Sequence, residues 1–182
     1  MGVLILKLGL ENNEIRLEPY NPEWKDEFLR VKNDLLNNTD LQASRIEHIG
    51  STTIEGMSAK PLIDIVAGID DLDSVDKEFF IDLSKVGFLR LRVERPGEIV
   101  LAKFSDDTYD IKTHFLHLVE YDGELWNNLI FFRDYLNTHE DVRKEYLDIK
   151  QDFLKHSSTG IKEYTNSKET FVREIYGKRD SN

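Results

Sequence analysis

The chain has 182 residues, no cysteine and a formal net charge of −11. The lack of cysteine excludes disulfides, thiolate metal sites and a cysteine nucleophile. The excess of acids repels a phosphate backbone and argues against general binding of duplex nucleic acid. The apolar run at residues 3–6 stops at Lys7, so it predicts neither a membrane span nor a signal peptide. We expect one soluble, cytoplasmic domain over residues 1–182, because no linker-like segment divides it.

The first half of the chain predicts strands on either side of one long helix. Residues 14–20 predict a short strand. Asn21 is a typical N-cap residue and Pro22 suits the first helical position, so a helix should follow to about residue 37. Its apolar residues recur at helical spacing: Trp24, Phe28, Val31 and Leu35. Residues 44–49 predict a second strand. Residues 62–69 are apolar on both faces, which favours a central strand covered on each side.

The second half predicts a hairpin followed by helices. A helix is expected over about residues 74–86, capped by Asp73 or Ser74 and ended by Gly87. Residues 88–93 and 99–104 should form the hairpin, and residues 109–119 a further strand. From about residue 123 the spacing becomes helical, which predicts two or three final helices, the last over about residues 162–176. The fold class is therefore α+β, a mixed sheet backed by helices.

One acid lies inside the most apolar strand. Asp64 is flanked by Leu62, Ile63, Ile65 and Val66, and it follows a Gly50-Ser51 turn by a short segment. Burying a carboxylate costs several kcal/mol unless it is paired, hydrogen-bonded or bound to a metal. A divalent cation that carries a nucleotide is one such partner.

These residues resemble a known family. The run EHIGSTTIEGMSAKPLIDI at 47–65 is similar to the signature of the GrpB-like proteins, a group within the nucleotidyltransferase superfamily. The resemblance continues in YNPEW at 20–24, in HFLHLV at 114–119 and in FRDYL at 132–136, with Tyr146 and Lys150. It covers about residues 14–176, so it implies a single nucleotidyltransferase-like domain.

The resemblance implies a site for a nucleoside triphosphate with Mg²⁺. Gly50, Ser51 and Thr52 would hold phosphates, and Asp64 would be the metal ligand that serves nucleotidyl transfer to a small hydroxyl- or amine-bearing acceptor. Superfamily enzymes carry a second acid two positions later, where this chain has Val66. Asp110 and Glu47 are candidates to supply further oxygen ligands.

Two histidines and three cations complete the expected site. His114 and His117 are candidate acid, base or supplementary ligand groups, although three-residue spacing points them to opposite faces of a regular strand. His48 could orient the turn or donate to phosphate. Lys60 lies beside Pro61 near the start of the Asp64 strand, and its ammonium suits phosphate or Asp64 itself. Arg133 and Lys150 are further nucleotide-binding candidates.

Two other functions stay open. A nucleotide-sensing or partner-binding module of the same fold, without catalysis, is favoured by Val66. A metal-dependent hydrolase would be centred on His114, His117 and Asp64. Serine catalysis by Ser51 with His48 is disfavoured, because no acid is evident to orient the histidine.

Overall fold

A computed structural model describes residues 6–11, 14–156 and 161–179. The helices in this part of the chain are α1 (Glu23–Asn38), α2 (Lys77–Lys85), α3 (Glu124–Thr138), α4 (Glu140–His156) and α5 (Ile161–Arg179). The strands are β1 (Ile46–Ile49), β2 (Ile63–Ile69), β3 (Phe88–Arg90), β4 (Glu98–Phe104) and β5 (Lys112–Glu120). None of the described helices is both long and apolar enough to cross a bilayer.

The five strands form one mixed sheet in the order β1-β2-β5-β4-β3. β2 and β5 are parallel, and every other pair is antiparallel. This confirms the α+β class, the hairpin and the interior position of β2. In the register, Asp64 lies opposite Ile49 on one side and Phe115 on the other, while His117 lies opposite Val66 and Val100.

Helices cover both faces of the sheet. The first face packs on α1 and α2 through a core that includes Val31, Leu35, Ile63, Ile65 and Leu83. The second face packs on α3 through Ile49, Val66, Val119 and Trp126. Because side chains alternate along a strand, Asp64 shares the second face with Val66, two residues later.

A third apolar cluster joins the final helices to the segment after the Gly50-Ser51 turn. Ile54 and Met57 of that segment are fully buried against α3, α4 and α5. The helical partners in this cluster include Phe132, Leu136, Tyr146, Phe171 and Ile175. The position of α4 and α5 over the turn is thus set by apolar packing.

Some predicted boundaries were wrong. Residues 14–20 do not form a strand; Glu18 makes only an isolated antiparallel bridge with Ala59. Helix α2 begins at Lys77, where the Asp76 carboxylate accepts a bond from the Phe79 amide at 2.9 Å, and residues 72–74 form a separate 3₁₀ turn. β3 ends at Arg90 and β5 begins at Lys112, so both are shorter at one end than predicted. Local propensity does not specify where pairing or capping stops.

Candidate functional site

The Gly50-Ser51 turn lies directly against Asp64. Gly50 has φ of +74° and ψ of −174°, a backbone conformation that is essentially restricted to glycine. A Cβ atom placed on Gly50 would lie 2.5 Å from Oδ2 of Asp64. Both the conformation and the close approach therefore require glycine at this position.

Side chains of helix α3 form hydrogen bonds to the Gly50-Ser51 turn and to the strand before it. Nη1 of Arg133 donates to Oε2 of Glu47 at 2.7 Å and to the carbonyl oxygen of His48 at 3.1 Å. One helical turn later, Nδ2 of Asn137 donates to the carbonyl oxygen of Thr53 at 3.2 Å. Arg133 was expected to bind nucleotide. The structure instead shows it stabilising the turn, and it does not line the cavity described next.

In front of the turn is a cavity of about 80 Å³, against about 300–1,000 Å³ for usual small-molecule pockets. It brings together five of the expected site residues and adds three others, of which Lys168 and Tyr164 come from α5. The full lining is Ser51, Thr52, Lys60, Leu62, Asp64, Lys150, Tyr164 and Lys168. At this volume the cavity has room for a small anion but not for a nucleoside.

Lys150 reaches the cavity from α4 and is only 1% exposed. Its ammonium donates to the carbonyl oxygen of Ser58 at 2.9 Å and lies 3.4 Å from Oγ of Ser51. Burial, reinforced by repulsion from Lys168 and Lys60, lowers the pKa of Lys150 to about 7. Near neutral pH, Lys150 therefore exchanges between its charged and its uncharged form beside the turn.

The ammonium groups of Lys60 and Lys168 both lie close to the ring of Tyr164. Their Nζ atoms lie 4.2 Å and 4.3 Å from the ring centroid, within the range of cation–π attraction. Burial lowers the pKa of Lys60, and the charge of Asp64 partly offsets this. Burial together with repulsion from Lys60 lowers the pKa of Lys168 to about 8, again with Asp64 acting in the opposite direction. The three lysines thus repel one another around a single carboxylate.

A histidine joins Asp64 to a second acid across three strands. Nε2 of His117 lies 3.9 Å from Oδ1 of Asp64, and its Nδ1 lies 2.7 Å from Oε2 of Glu98. Burial acts to lower the pKa of His117, but the charges of Asp64 and Glu98, together with the hydrogen bond to Glu98, prevail and raise it to about 9. His117 is therefore an imidazolium at neutral pH, so it can donate a proton but cannot act as a base there.

The structure does not bring His114 to this site. Its side chain points to the first face of the sheet, where Nε2 lies 3.0 Å from Oε1 of Glu27 and Nδ1 lies 2.8 Å from Oγ1 of Thr113. His48 is also on that face, stacked on Phe28. The two histidines of β5 thus point to opposite faces, as their spacing predicts.

His48 is connected to the cavity indirectly. Its Nε2 lies 2.9 Å from Oγ1 of Thr52, a cavity residue, so it helps to fix the turn. Burial lowers the pKa of His48 to about 4; the attraction of Asp64 opposes this, whereas the charges of Arg133 and His114 add to it. His48 is therefore a neutral positioning group at pH 7.

The residues of the cavity suit an anion better than a resident metal. Among the described residues that line it, Asp64 is the only carboxylate, and three ammonium groups share that lining. In the residues that the structure describes, no three side chains of the metal-ligating types converge on one point. Glu47 is paired with Arg133, and Asp110 does not line the cavity. A two-metal clamp does not fit this donor set, and a single Mg²⁺ would take most of its ligands from water and phosphate.

Sequence reasoning missed three residues of the site. Glu98 falls in the predicted hairpin turn, and its contact with His117 depends on the register of β4 with β5. Lys168 and Tyr164 fall in a correctly predicted helix, but no local signal shows which of its faces meets the turn. The i, i+4 spacing of these two residues is the one available indication that they share a side of the helix.

Comparison with known proteins identifies relatives along most of the chain. The family model described as "GrpB protein" matches residues 14–178. The chain is 40% identical over 169 residues to the glutamate-rich protein GrpB of Alkalihalophilus pseudofirmus, covering 92% of this chain and 97% of that protein. It is 30% identical to the UPF0157 protein BH1888 of Halalkalibacterium halodurans, covering 95% of this chain and 86% of the other.

Solved structures extend the similarity to the fold. A crystal structure of conserved protein GrpB from Enterococcus faecalis superimposes with a TM-score of 0.71 at 22% identity, covering 90% of this chain and 96% of that one. The Cid1 poly(U) polymerase, solved with MgGTP bound, superimposes with a TM-score of 0.50 at 15% identity, covering 74% of this chain and 43% of the polymerase. The chain therefore has a fold similar to that of nucleotidyltransferases.

Proposed function

The chain belongs to the GrpB family, and we propose that it binds the phosphate chain of a nucleoside triphosphate in the cavity beside the Gly50-Ser51 turn. The observation that carries the proposal is the convergence of Lys60, Lys150 and Lys168 on that turn. Ammonium groups gathered in one cavity repel one another, and a phosphate placed among them would offset that repulsion.

Both hydroxyl and ammonium groups of the cavity would donate hydrogen bonds to the phosphates. Ser51 and Thr52 offer hydroxyl donors from the turn, and the three lysines offer charged donors from the segment before β2, from α4 and from α5. Charge-assisted hydrogen bonds of this kind are the strong ones in proteins. Because the cavity holds about 80 Å³, it would take the phosphates, and the ribose and base would lie outside it.

A finer proposal is transfer of the nucleotidyl group to a small hydroxyl- or amine-bearing acceptor. The hydroxyl oxygen or amine nitrogen of the acceptor would bond to the α-phosphorus as the bond from that phosphorus to the pyrophosphate oxygen breaks, and the proton of the acceptor would pass to water. Mg²⁺ stays a prediction from the family resemblance: Asp64 would hold it, and the ion would shield the charge of the phosphates. His117, which carries a proton at neutral pH, would serve as a proton donor and not as the base that takes the proton of the acceptor.

A second candidate function is nucleotide binding without turnover. Val66 favours it, because the position where superfamily enzymes have a second acid is apolar and fully buried here. Measuring nucleotide binding and pyrophosphate release in parallel distinguishes the two candidate functions. Release of pyrophosphate with an acceptor panel would support transfer, and binding without any release would support the sensing module.

Calorimetric titration of ATP, GTP, CTP and UTP into metal-stripped protein, with and without Mg²⁺, tests the proposal. We expect saturable binding that weakens by about tenfold or more in Lys168→Met, since a charged hydrogen bond is lost. Lys162→Met removes the same charge from an exposed position on the same helix and should bind like the natural chain. Absence of binding for all four triphosphates in both conditions would refute the proposal.

A further inference from the structure

We infer that the cavity binds one terminal phosphoryl group without a divalent cation, because its three lysines already balance the charge of the anion. The inference rests on the proposed function in placing phosphate here, and it names the chemistry that this site recognises. It departs from the Mg²⁺ that the family resemblance implies.

The first support is the charge of the lining. Three lysines face one carboxylate, so the cavity has an excess of two positive charges once a bound anion keeps all three lysines protonated. A phosphoryl group carries about −1.5 to −2 at pH 7. The protein alone can therefore neutralise the ligand, whereas a divalent cation added to this lining would meet three like charges at close range.

The second support is that Asp64 already has cationic neighbours. His117 lies 3.9 Å from Oδ1 and is itself held by Glu98. The charge of Asp64 also acts on Lys60 and on Lys168. A carboxylate surrounded in this way serves to keep cations in place, and a metal would have to compete with them for it.

The third support is the shape of the site. The turn, α4 and α5 each contribute to a cavity of about 80 Å³, and Lys150 is 1% exposed. A structural role accounts for part of Lys150, since it donates to the carbonyl oxygen of Ser58. Lys60 and Lys168 gain cation–π attraction from Tyr164, but their repulsion from each other and from Lys150 opposes it and destabilises the site until an anion is bound.

Titration of inorganic phosphate into the full chain in EDTA tests the inference. We expect saturable binding whose affinity changes less than about twofold when EDTA is replaced by Mg²⁺. In EDTA, Asp64→Asn should bind phosphate more tightly, because removing a like charge from beside the anion outweighs the loss of its attraction for Lys60 and Lys168. A metal-bridged site predicts the opposite result for this variant, so the direction of the change is decisive.

Lysine variants show where the anion binds. Lys168→Met should weaken binding of phosphate by about tenfold or more, while the exposed Lys162→Met should leave it unchanged. Circular dichroism on both variants verifies that they are folded. Equal affinities for the two variants, or phosphate binding that requires Mg²⁺, would overturn the inference.

Parallel titrations with ATP separate this inference from the proposed function. If phosphate binds in EDTA and no triphosphate binds, the cavity serves a free phosphate, and the nucleotide proposal fails alone. If ATP binds only with Mg²⁺ and free phosphate does not bind, the nucleotide proposal stands and the inference fails. If neither binds, both fail.

Discussion

The backbone of Gly50 packs directly against the carboxylate of Asp64, so the turn and the acid form one structural unit. Pairing between β1 and β2 creates this contact, since Ile49 lies opposite Asp64 in the register. The turn cannot shift away from the acid without breaking that pairing. The position of the donors on the turn relative to the carboxylate is thus fixed by the sheet.

Gly50→Ala should destabilise the chain strongly. The positive φ with extended ψ costs a non-glycine residue about 1–3 kcal/mol, and the new Cβ would lie 2.5 Å from Oδ2 of Asp64. Unfolding in urea measures the loss. Gly97→Ala is the control, because Gly97 has φ of +73° and a Cβ added there would meet no atom within 4 Å; it should lose about 1–2 kcal/mol.

A double-mutant cycle isolates the contact itself. In an Asp64→Ala background the Oδ2 atom is absent, so Gly50→Ala should cost less than it does in the natural chain. Equal costs in the two backgrounds would show that the backbone conformation alone requires glycine, and that Gly50 and Asp64 do not act as a unit.

Glu98→Gln should lower the pKa of His117 by about one unit or more. Burial already acts to lower that pKa, and Glu98 and Asp64 are what raise it to about 9. Imidazole resonances followed by NMR across pH 6–10 report the value directly. Glu120→Gln, which removes an exposed acid from the same sheet, should leave it unchanged; an unchanged pKa in Glu98→Gln would contradict the contact.

Much of the site could be predicted because it lies within one short segment. Gly50, Ser51, Lys60 and Asp64 fall between residues 47 and 65, where a turn and an apolar strand are both visible in the sequence. Whether these residues bind a ligand stays a prediction. The expected strand at residues 14–20 failed for a physical reason: alternation alone does not stabilise a strand that has one bridging partner, Ala59.

The remaining parts of the site depend on tertiary packing. Glu98 meets His117 only through the register of β4 and β5. Lys168 meets the turn only because Phe171 and Ile175 seat α5 on Ile54 and Met57. The guanidinium group of Arg133 is suited to binding phosphate, but the position of Arg133 on α3 pairs it with Glu47 instead. Residue type indicated the chemistry in these cases, and packing decided the partner.

Stability should fall as the pH drops from about 6.5 to 4. Burial lowers the pKa of His48 to about 4, so the unfolded chain takes up a proton in this range and the folded chain does not. The full effect is on the order of 3 kcal/mol. The groups acting on His48 are Asp64, Arg133 and His114, besides its partner Thr52.

Urea unfolding at pH 7 and pH 4.5 measures this dependence. His48→Gln should have a shallower pH dependence than the natural chain. His114 contributes in the same direction, because burial also lowers its pKa, with the bond to Glu27 opposing the shift. His114→Gln therefore serves as the comparison, and an unaltered slope in both variants would contradict the prediction.

Arg133→Gln should lose stability and keep affinity for phosphate. It removes the ion pair with Glu47 and the bond to the carbonyl oxygen of His48, worth about 1–2 kcal/mol together. Because Arg133 does not line the cavity, affinity for phosphate should change less than about twofold. A tenfold loss of affinity in a folded variant would instead place Arg133 among the ligand-binding groups.

Lys168→Met should show the reverse pattern, with a gain in stability and a loss of binding. At pH 7 the folded chain holds the Lys168 ammonium against burial and against repulsion from Lys60, which lowers its pKa to about 8. Replacing such a cation with an apolar side chain of similar length removes both penalties, so unfolding at pH 7 should require about 1 kcal/mol more. The gain should shrink as the pH rises from 8 towards 10.5, since the natural chain then loses the penalty by releasing the proton.

Lys162→Met, the control, should change neither the stability nor the affinity for phosphate. A loss of stability in Lys168→Met would mean that the folded state needs this ammonium for its own packing, whereas a gain is what a lysine retained for its ligand predicts.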